Sequence, residues 1–115
     1  MDSKNFRKIS GTVVKGDQYG RKLGFPTVNL DVQTKDLPAG VYSGTGALGA
    51  EIYKAAIVIN DIGRTEAHLI DYNEDAYGKE VTLEIQKFIR EYKKFETEAE
   101  LIEQIKKDIQ ICSQE

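Results

Sequence analysis

The stretch GVYSGTGALGAEIYKAAIVIN, residues 40–60, decides the fold because it places a glycine-rich pattern between two segments of strand-like composition. The pattern is G-x-G-x-x-G, from Gly44 to Gly49, which indicates a dinucleotide site only where it links a strand to a helix. Residues 51–60 end instead in a β-branched run before Asn60 and Asp61, which favours a returning strand. The stretch therefore predicts a β-hairpin, with a nucleotide loop as the weaker alternative.

Four similar segments lie on both sides of this hairpin. They alternate apolar and polar residues or are rich in β-branched and aromatic residues, as strands are. They are RKISGTVV at residues 7–14, PTVNLDV at 26–32, EAHLIDY at 66–72 and EVTLEIQKFIR at 80–90. Residues 75–78 are typical of a turn, with Gly78 able to take a positive φ. Six successive strands without intervening helices predict an antiparallel barrel or sandwich.

The last part of the chain has helical periodicity. Thr97 and Glu100 form the pattern of a capping box, which predicts where a helix begins. Apolar residues then recur at helical spacing, at Leu101, Ile102, Ile105 and Ile109. We expect this stripe to pack on the barrel, while a partner-binding helix is the alternative.

The composition is that of one soluble domain. The chain has 115 residues, of which 40% are hydrophobic and 30% charged, so we expect one domain over residues 1–115 and a monomer. No apolar run approaches the roughly 20 residues of a membrane span, and the N-terminal MDSKNFRKIS lacks the apolar centre of a signal peptide. We therefore expect a cytoplasmic protein. The lone cysteine, Cys112, is expected to be a buried structural residue.

The charge argues against a nucleic-acid-binding module. The net charge is −3, whereas such modules need a basic face to neutralise phosphates. The densest basic cluster is KFIREYKKF at residues 87–95, with Lys87, Arg90, Lys93 and Lys94. Charged runs of this kind are usually solvated surface. A nucleic-acid-binding barrel is accordingly the third of our function hypotheses.

The segment GRKLGFPTVNLD, residues 20–31, combines glycines, cations and neutral oxygen donors. Gly16, Gly20 and Gly24 are spaced four apart around Lys15, Arg21 and Lys22. Glycine N–H groups can converge on phosphate oxygens, although an ordinary turn-rich connection is the alternative. Thr27 and Asn29 follow the proline two residues apart, so on a strand both side chains face the same side. Their oxygens are hard donors that Mg²⁺ accepts when phosphates and waters complete its shell.

A carboxylate and an imidazole occur together in RTEAHLIDY, residues 64–72. Glu66 and His68 would share one strand face, so Glu66 could accept a proton from a substrate hydroxyl. Taken singly, Glu66 is better explained as a surface residue and His68 as a hydrogen-bonded structural residue.

Together these segments resemble the riboflavin kinase family, whose members phosphorylate riboflavin to FMN. Residues 13–31, VVKGDQYGRKLGFPTVNLD, are similar to the family signature G-R-x-L-G-[FI]-P-T-A-N, and PAGVY follows. Residues 66–84, EAHLIDYNEDAYGKEVTLE, resemble the glutamate-bearing E-x-H-[IL]-x-D-x-x-x-D-x-Y-G segment. IREYKKF, residues 89–95, precedes the closing helix. The resemblance covers nearly the whole chain in the expected order.

The resemblance implies a six-stranded antiparallel Greek-key barrel with one C-terminal helix, acting on riboflavin and ATP. By it, the nucleotide would be bound by Gly16, Gly20, Lys22, Gly24, Thr27 and Asn29. Thr27 and Asn29 would hold Mg²⁺, and Glu66 would be the base that activates the terminal ribityl hydroxyl. Arg90 and Phe95 would lie beside the flavin. Since 115 residues leave no room for the adenylyltransferase domain of many bacterial members, FMN rather than FAD is the expected product.

The chain departs from the family pattern in two places. Val28 replaces the alanine of P-T-A-N and should point away from the metal. Between Asn60 and Glu66 the chain has only DIGRT, where the family has the longer N-I-G-x-x-P-T-[FY] flap. This shortening motivates the second hypothesis, a non-catalytic relative that binds flavin or nucleotide for storage or regulation.

Overall fold

The computed structural model describes residues 7–16 and 19–115. Residues 1–6, which contain most of the segment examined for a signal peptide, and residues 17 and 18 of the glycine loop lie outside the described residues. The elements in chain order are β1 Arg7–Val14, α1 Tyr19–Lys22, β2 Val28–Gln33, β3 Gly40–Leu48, β4 Glu51–Ile59, β5 Arg64–Leu69, β6 Glu80–Glu91 and α2 Glu98–Gln114.

The six strands form a closed antiparallel barrel in the order β1-β2-β5-β4-β3-β6. Strands β3, β4 and β5 follow one another as hairpins, and β6 returns to lie beside β3, which is a Greek key. The barrel closes where β1 pairs with β6, from Arg7 opposite Ile85 to Thr12 opposite Glu80. The predicted fold class is confirmed.

The glycine pattern at residues 44–49 belongs to the β3–β4 hairpin, as the sequence predicted. A Cβ on Gly44 would overlap the carbonyl oxygen of Glu84 on β6, and one on Gly46 would lie 2.5 Å from Leu69 Cδ2. Gly49 has a φ of 63° in the two-residue connection between the strands. These glycines therefore allow close strand packing and a tight turn.

The core fills the inside of the barrel. Residues of alternate positions on all six strands contribute to it, because successive side chains of a strand point to opposite faces. The least exposed members larger than alanine are Leu30, Ile57, Ile59, Leu69, Val81 and Leu83. The outward-facing side chains of β2, β4 and β5 do not belong to this core, and several of them line surface cavities.

Two strand boundaries differ from the prediction. β2 begins at Val28 rather than at Pro26, whose nitrogen has no hydrogen to donate to a ladder. β5 runs from Arg64 to Leu69 rather than to Tyr72, because the chain turns at Asp71, which has a φ of 72°. The turn before β6 is as predicted, with Gly78 at a φ of 83°.

Helix α2 begins where the capping pattern predicts. Thr97 Oγ1 accepts a hydrogen bond from Glu100 N at 3.2 Å, and the helix packs against β4 and β3. No helix in residues 7–16 or 19–115 is both long and apolar enough to cross a bilayer.

Cys112 is buried, as predicted, with 1% exposure, and its Sγ lies 3.9 Å from the carbonyl oxygen of Tyr42. Burial, with the nearby Asp108 and Glu115 carboxylates, raises the pKa of the Cys112 thiol to about 11. Cys112 is therefore a neutral packing residue at physiological pH.

The connection between β4 and β5 is a tight turn. Asn60 Oδ1 accepts hydrogen bonds from Ile62 N at 3.1 Å and Arg64 N at 2.9 Å. Gly63 has a φ of 85° and donates to the Asn60 carbonyl oxygen. The shortened segment is therefore a compact Asx-type turn, held by its own hydrogen bonds.

Candidate active site

Two cavities meet at Thr27. The loop cavity, about 120 Å³, lies between the end of β1, the start of β2 and residues 72–77. The helix cavity, about 480 Å³, lies between the outer face of the barrel, α1 and α2. Thr27 lines both, so a ligand in one cavity can meet a ligand in the other there.

The loop cavity has a polar lining of both signs. Its cations are Lys15 and Arg21, and its carboxylates are Glu74 and Asp75. The pKa of Tyr72, which also lines it, is raised by burial and further by these two carboxylates. Both carboxylates of this lining belong to residues 72–77, and the Lys15 ammonium lies over the Tyr77 ring of the same segment, 5.9 Å from its centroid.

The predicted glycine loop is divided between the two cavities. Gly16 lines the loop cavity, Gly20 lines the helix cavity, and Gly24 lines neither. Gly20 and Gly24 shape a turn instead: the Gly20 carbonyl oxygen accepts from Phe25 N at 2.7 Å, and Gly24 has a φ of 95°. Lys22 is exposed and lines neither cavity.

Asn29 and Glu66 are brought together by strand pairing. They are direct partners in the β2–β5 ladder, so both side chains leave the same face with Cβ atoms about 5 Å apart. Asn29 lines the loop cavity and Glu66 lines the helix cavity, on either side of Thr27. The three side chains do not line one common cavity: Thr27 and Asn29 line the loop cavity, Thr27 and Glu66 line the helix cavity, and the ladder pairing brings Asn29 and Glu66 side by side between them.

His68 is a hydrogen-bonded structural residue, as expected for a single histidine. Its Nδ1 lies 2.8 Å from the carbonyl oxygen of Pro26, and its ring makes an edge contact with Phe25 at 6.4 Å between centroids. Because Thr27 follows Pro26 directly, this contact fixes the backbone of the residue shared by the two cavities.

The helix cavity has mostly apolar walls, and a few charged side chains also line it: Glu66, Arg90, Lys93, Lys94 and Asp108. Its walls are Val41, Ala56 and Val58 on the barrel and Leu101, Ile105 and Ile109 on α2. Helix α2 packs on the barrel as predicted, but its buried residues are Asp108 and Cys112, and three residues of the predicted stripe form one wall of this cavity.

Arg90 and Phe95 both line the helix cavity. Arg90 Nη2 donates to Asp108 Oδ2 at 2.8 Å, and the guanidinium carbon lies 5.8 Å from the Phe95 ring centroid. The other members of the basic cluster, Lys87, Lys93 and Lys94, are exposed as expected.

The residues after the proline fit a hard divalent cation. A Cβ on Gly16 would lie 2.5 Å from Asn29 Nδ2, so only glycine leaves the carboxamide its present position. Within residues 7–16 and 19–115, no group of three His, Cys, Asp or Glu side chains is placed to bind a metal. A metal here would depend on neutral protein oxygens and on phosphates, as Mg²⁺ commonly does.

Sequence reasoning missed several lining residues. Arg21, not Lys22, lines the loop cavity. A third cavity of about 240 Å³, which Asn29 also lines, adds Arg64.

Asp108 was missed altogether, because nothing in the periodicity of α2 distinguishes it from a solvated carboxylate. Only its position on the apolar side of the helix, three residues after Ile105, could have indicated burial.

Comparison with known proteins identifies the family of this chain. The family model described as "Flavokinase: Riboflavin kinase" matches residues 4–115. The RNA-binding riboflavin kinase RibR of Bacillus subtilis is 38% identical over 109 residues, covering 88% of this chain and 47% of that protein. The bifunctional riboflavin kinase/FMN adenylyltransferase of the same organism is 34% identical over 114 residues, covering 89% of this chain and 36% of that protein.

A solved structure has the same fold. The riboflavin kinase from Trypanosoma brucei superposes with a TM-score of 0.70 at 25% identity, covering 93% of this chain and 74% of that one. The chain spans about half or less of the length of the two bacterial relatives.

Proposed function

The chain belongs to the riboflavin kinase family, and on that premise we propose that it transfers the terminal phosphate of ATP to the terminal ribityl hydroxyl of riboflavin. The observation that carries the proposal is the pairing of Asn29 with Glu66, with Thr27 lining both cavities beside them. A metal–phosphate group and a proton acceptor can meet there.

Riboflavin would occupy the helix cavity. Its volume of about 480 Å³ is within the range of roughly 300–1,000 Å³ that small-molecule pockets span, and its walls are largely aliphatic. The isoalloxazine ring would lie between the barrel and α2, near Arg90 and Phe95, and the ribityl chain would extend towards Glu66.

ATP would bind with its phosphates at the loop cavity. That cavity, about 120 Å³, is too small for a whole nucleotide, so the base and ribose would lie outside it. Lys15, Arg21 and the backbone at Gly16 would neutralise phosphate charge, while Thr27 and Asn29 would hold Mg²⁺. Bound Mg²⁺ would neutralise the β- and γ-phosphates as charge shifts between them.

In the transfer step, the ribityl oxygen forms a bond to the γ-phosphorus and the bond from that phosphorus to the β–γ bridging oxygen breaks. The Glu66 carboxylate accepts the proton that the hydroxyl loses, and ADP leaves. Phosphoryl transfer depends mainly on alignment and charge neutralisation, which is what these side chains can provide.

Replacing Glu66 by glutamine tests the proposal. We expect purified protein with riboflavin, ATP and MgCl₂ to produce FMN, measured by chromatography, and Glu66→Gln to lower kcat by about 10²–10⁴-fold. Riboflavin binding, followed by flavin fluorescence, should change little, because the amide keeps the shape of the side chain.

Glu80→Gln is the matched control, since Glu80 is exposed at the start of β6 and lines neither cavity. It should leave kcat unchanged. Saturable riboflavin binding without any FMN would instead identify a non-catalytic flavin-binding relative. Tight, salt-sensitive binding of RNA with no effect of flavin would favour the nucleic-acid hypothesis. The cytoplasmic location and the monomeric state stay predictions, the second measurable by light scattering.

A further inference from the structure

Asp108 is a nearly buried carboxylate beside the helix cavity. It is 5% exposed and lines the cavity together with Arg90. Its Oδ1 accepts from Arg90 Nε at 3.0 Å and from Gln104 Nε2 at 3.0 Å. Its Oδ2 accepts from Arg90 Nη2 at 2.8 Å and from Nε at 3.2 Å. Both oxygens are therefore engaged by protein donors rather than left for a ligand.

Two of the five N–H groups of Arg90 make no hydrogen bond to the described residues. A guanidinium carries five N–H groups. Nε–H and one hydrogen of Nη2 go to Asp108, and one hydrogen of Nη1 goes to the Glu91 carbonyl oxygen at 3.0 Å. Among contacts with the described residues, this leaves one N–H on each Nη atom. The Arg90 side chain keeps 23% exposure, in the wall of the helix cavity.

We propose that Asp108 is a positioning residue for flavin. By binding the Nε–Nη2 side of Arg90, it fixes the guanidinium plane so that the two remaining N–H groups face the helix cavity. There they donate to adjacent in-plane acceptors of the isoalloxazine pyrimidine ring, a carbonyl oxygen and the neighbouring ring nitrogen. This inference rests on one part of the proposed function, the binding of flavin in the helix cavity, and does not depend on phosphoryl transfer.

The geometry favours positioning over a simple latch between β6 and α2. A buried ion pair adds little net stability compared with apolar residues of similar volume. Apolar side chains could therefore hold β6 and α2 together as well as this ion pair does. A planar guanidinium held on one side, however, recognises a planar acceptor edge in one orientation. Gln104 supports the same orientation through its bond to Asp108 Oδ1.

Asp108→Asn is the direct test. The carboxamide has the same shape, but its NH₂ group would face an Arg90 N–H donor, so the paired contact must break. We expect the KM for riboflavin to rise about tenfold or more, the cost of losing a charged hydrogen bond, with the KM for ATP within about twofold of wild type.

Asp36→Asn is the matched control, because it removes the carboxylate of an exposed ion pair with Arg7 at 2.7 Å. It should move neither KM. If Asp108→Asn raises both KM values together and lowers Tm, Asp108 is only a latch and the proposal is overturned. An unchanged riboflavin KM would overturn it as well.

Riboflavin affinity can be measured without turnover. Riboflavin titrations followed by flavin fluorescence should show the same loss of affinity in Asp108→Asn, even if the wild-type protein makes no FMN. Loss of the proposed function alone would then leave this inference standing. A wild-type protein that binds no riboflavin would overturn it.

Should Asp108→Asn fail to fold, Arg90→Lys gives the same information. Lysine keeps the charge and can pair with Asp108, but it cannot offer two coplanar donors. Its riboflavin affinity should also fall about tenfold, since the paired donors are lost. Wild-type affinity in this variant would contradict the proposal.

Discussion

Gly16 leaves room for the side chain of Asn29, a proposed metal ligand. A Cβ at this position would lie 2.5 Å from Asn29 Nδ2 and 2.6 Å from its Cγ, so any larger residue must displace the carboxamide. The glycine is required by close approach, and the group that approaches is a proposed metal ligand.

We expect Gly16→Ala and Asn29→Ala each to weaken binding of MgATP by about tenfold, measured by calorimetry. If Gly16 acts through Asn29, the double variant should bind no worse than Asn29→Ala alone. Binding of ATP in EDTA should be the same in all three variants. Additive losses would mean that Gly16 contacts the nucleotide independently of Asn29.

At this scale, the sequence supplies the chemistry of the site but not its geometry. Thr27 and Asn29 could be placed on one face from their spacing. Their meeting with Glu66 depends on strand register, which shifts between Asn29 and Gln33. A shift of one residue would turn Glu66 into the core, and no local pattern shows where the irregularity lies.

The hairpin of β3 and β4 depends on glycine for strand packing. The Gly44 position touches β6 so closely that a methyl group would overlap the Glu84 backbone oxygen, which cannot move as a flexible side chain can. The G-x-G-x-x-G pattern is thus explained by close contact between neighbouring strands of a barrel.

Gly44→Ala should lower the free energy of unfolding by about 3 kcal/mol, measured by urea denaturation. Gly49→Asn is the control, because Gly49 has a φ of 63° that asparagine tolerates and nothing lies within 4 Å of its added Cβ. It should cost less than about 1 kcal/mol. Equal losses would contradict the packing explanation.

Elements were easier to predict than their ends. Alternation and turn residues gave all six strands, and Thr97 gave the start of α2, because these signals act within a few residues. The start of β2 and the end of β5 were missed because alternation continues through Pro26, which has no N–H for a ladder, and through Asp71, whose φ of 72° turns the chain.

For the molecule as a whole, Cys112 links stability to alkaline pH. Its pKa is raised from 9.0 to about 11, so between these values only the unfolded chain loses the thiol proton. The free energy of unfolding should therefore fall from about pH 9 to pH 11, by up to about 1.4 kcal/mol per pH unit, and this term should level off above pH 11.

Cys112→Ser isolates this effect, because a hydroxyl of similar size does not titrate in that range. Tyr42, whose pKa is also raised by burial, stays in both proteins and cancels from the comparison. Denaturation at several pH values should show a steeper decline for the wild type. Parallel curves would mean that the thiol is not the group responsible.

The closure of the barrel by β1 and β6 has a consequence for synthesis on the ribosome. Arg7 pairs with Ile85, whereas the ladder to β2 joins only Val13 with Leu30 and Val14 with Asn29. At translation rates of about 5–20 residues per second, the first strand waits roughly 4–16 s for its main partner to be made. Until β6 has been made, β1 therefore has an open edge with which another chain can pair.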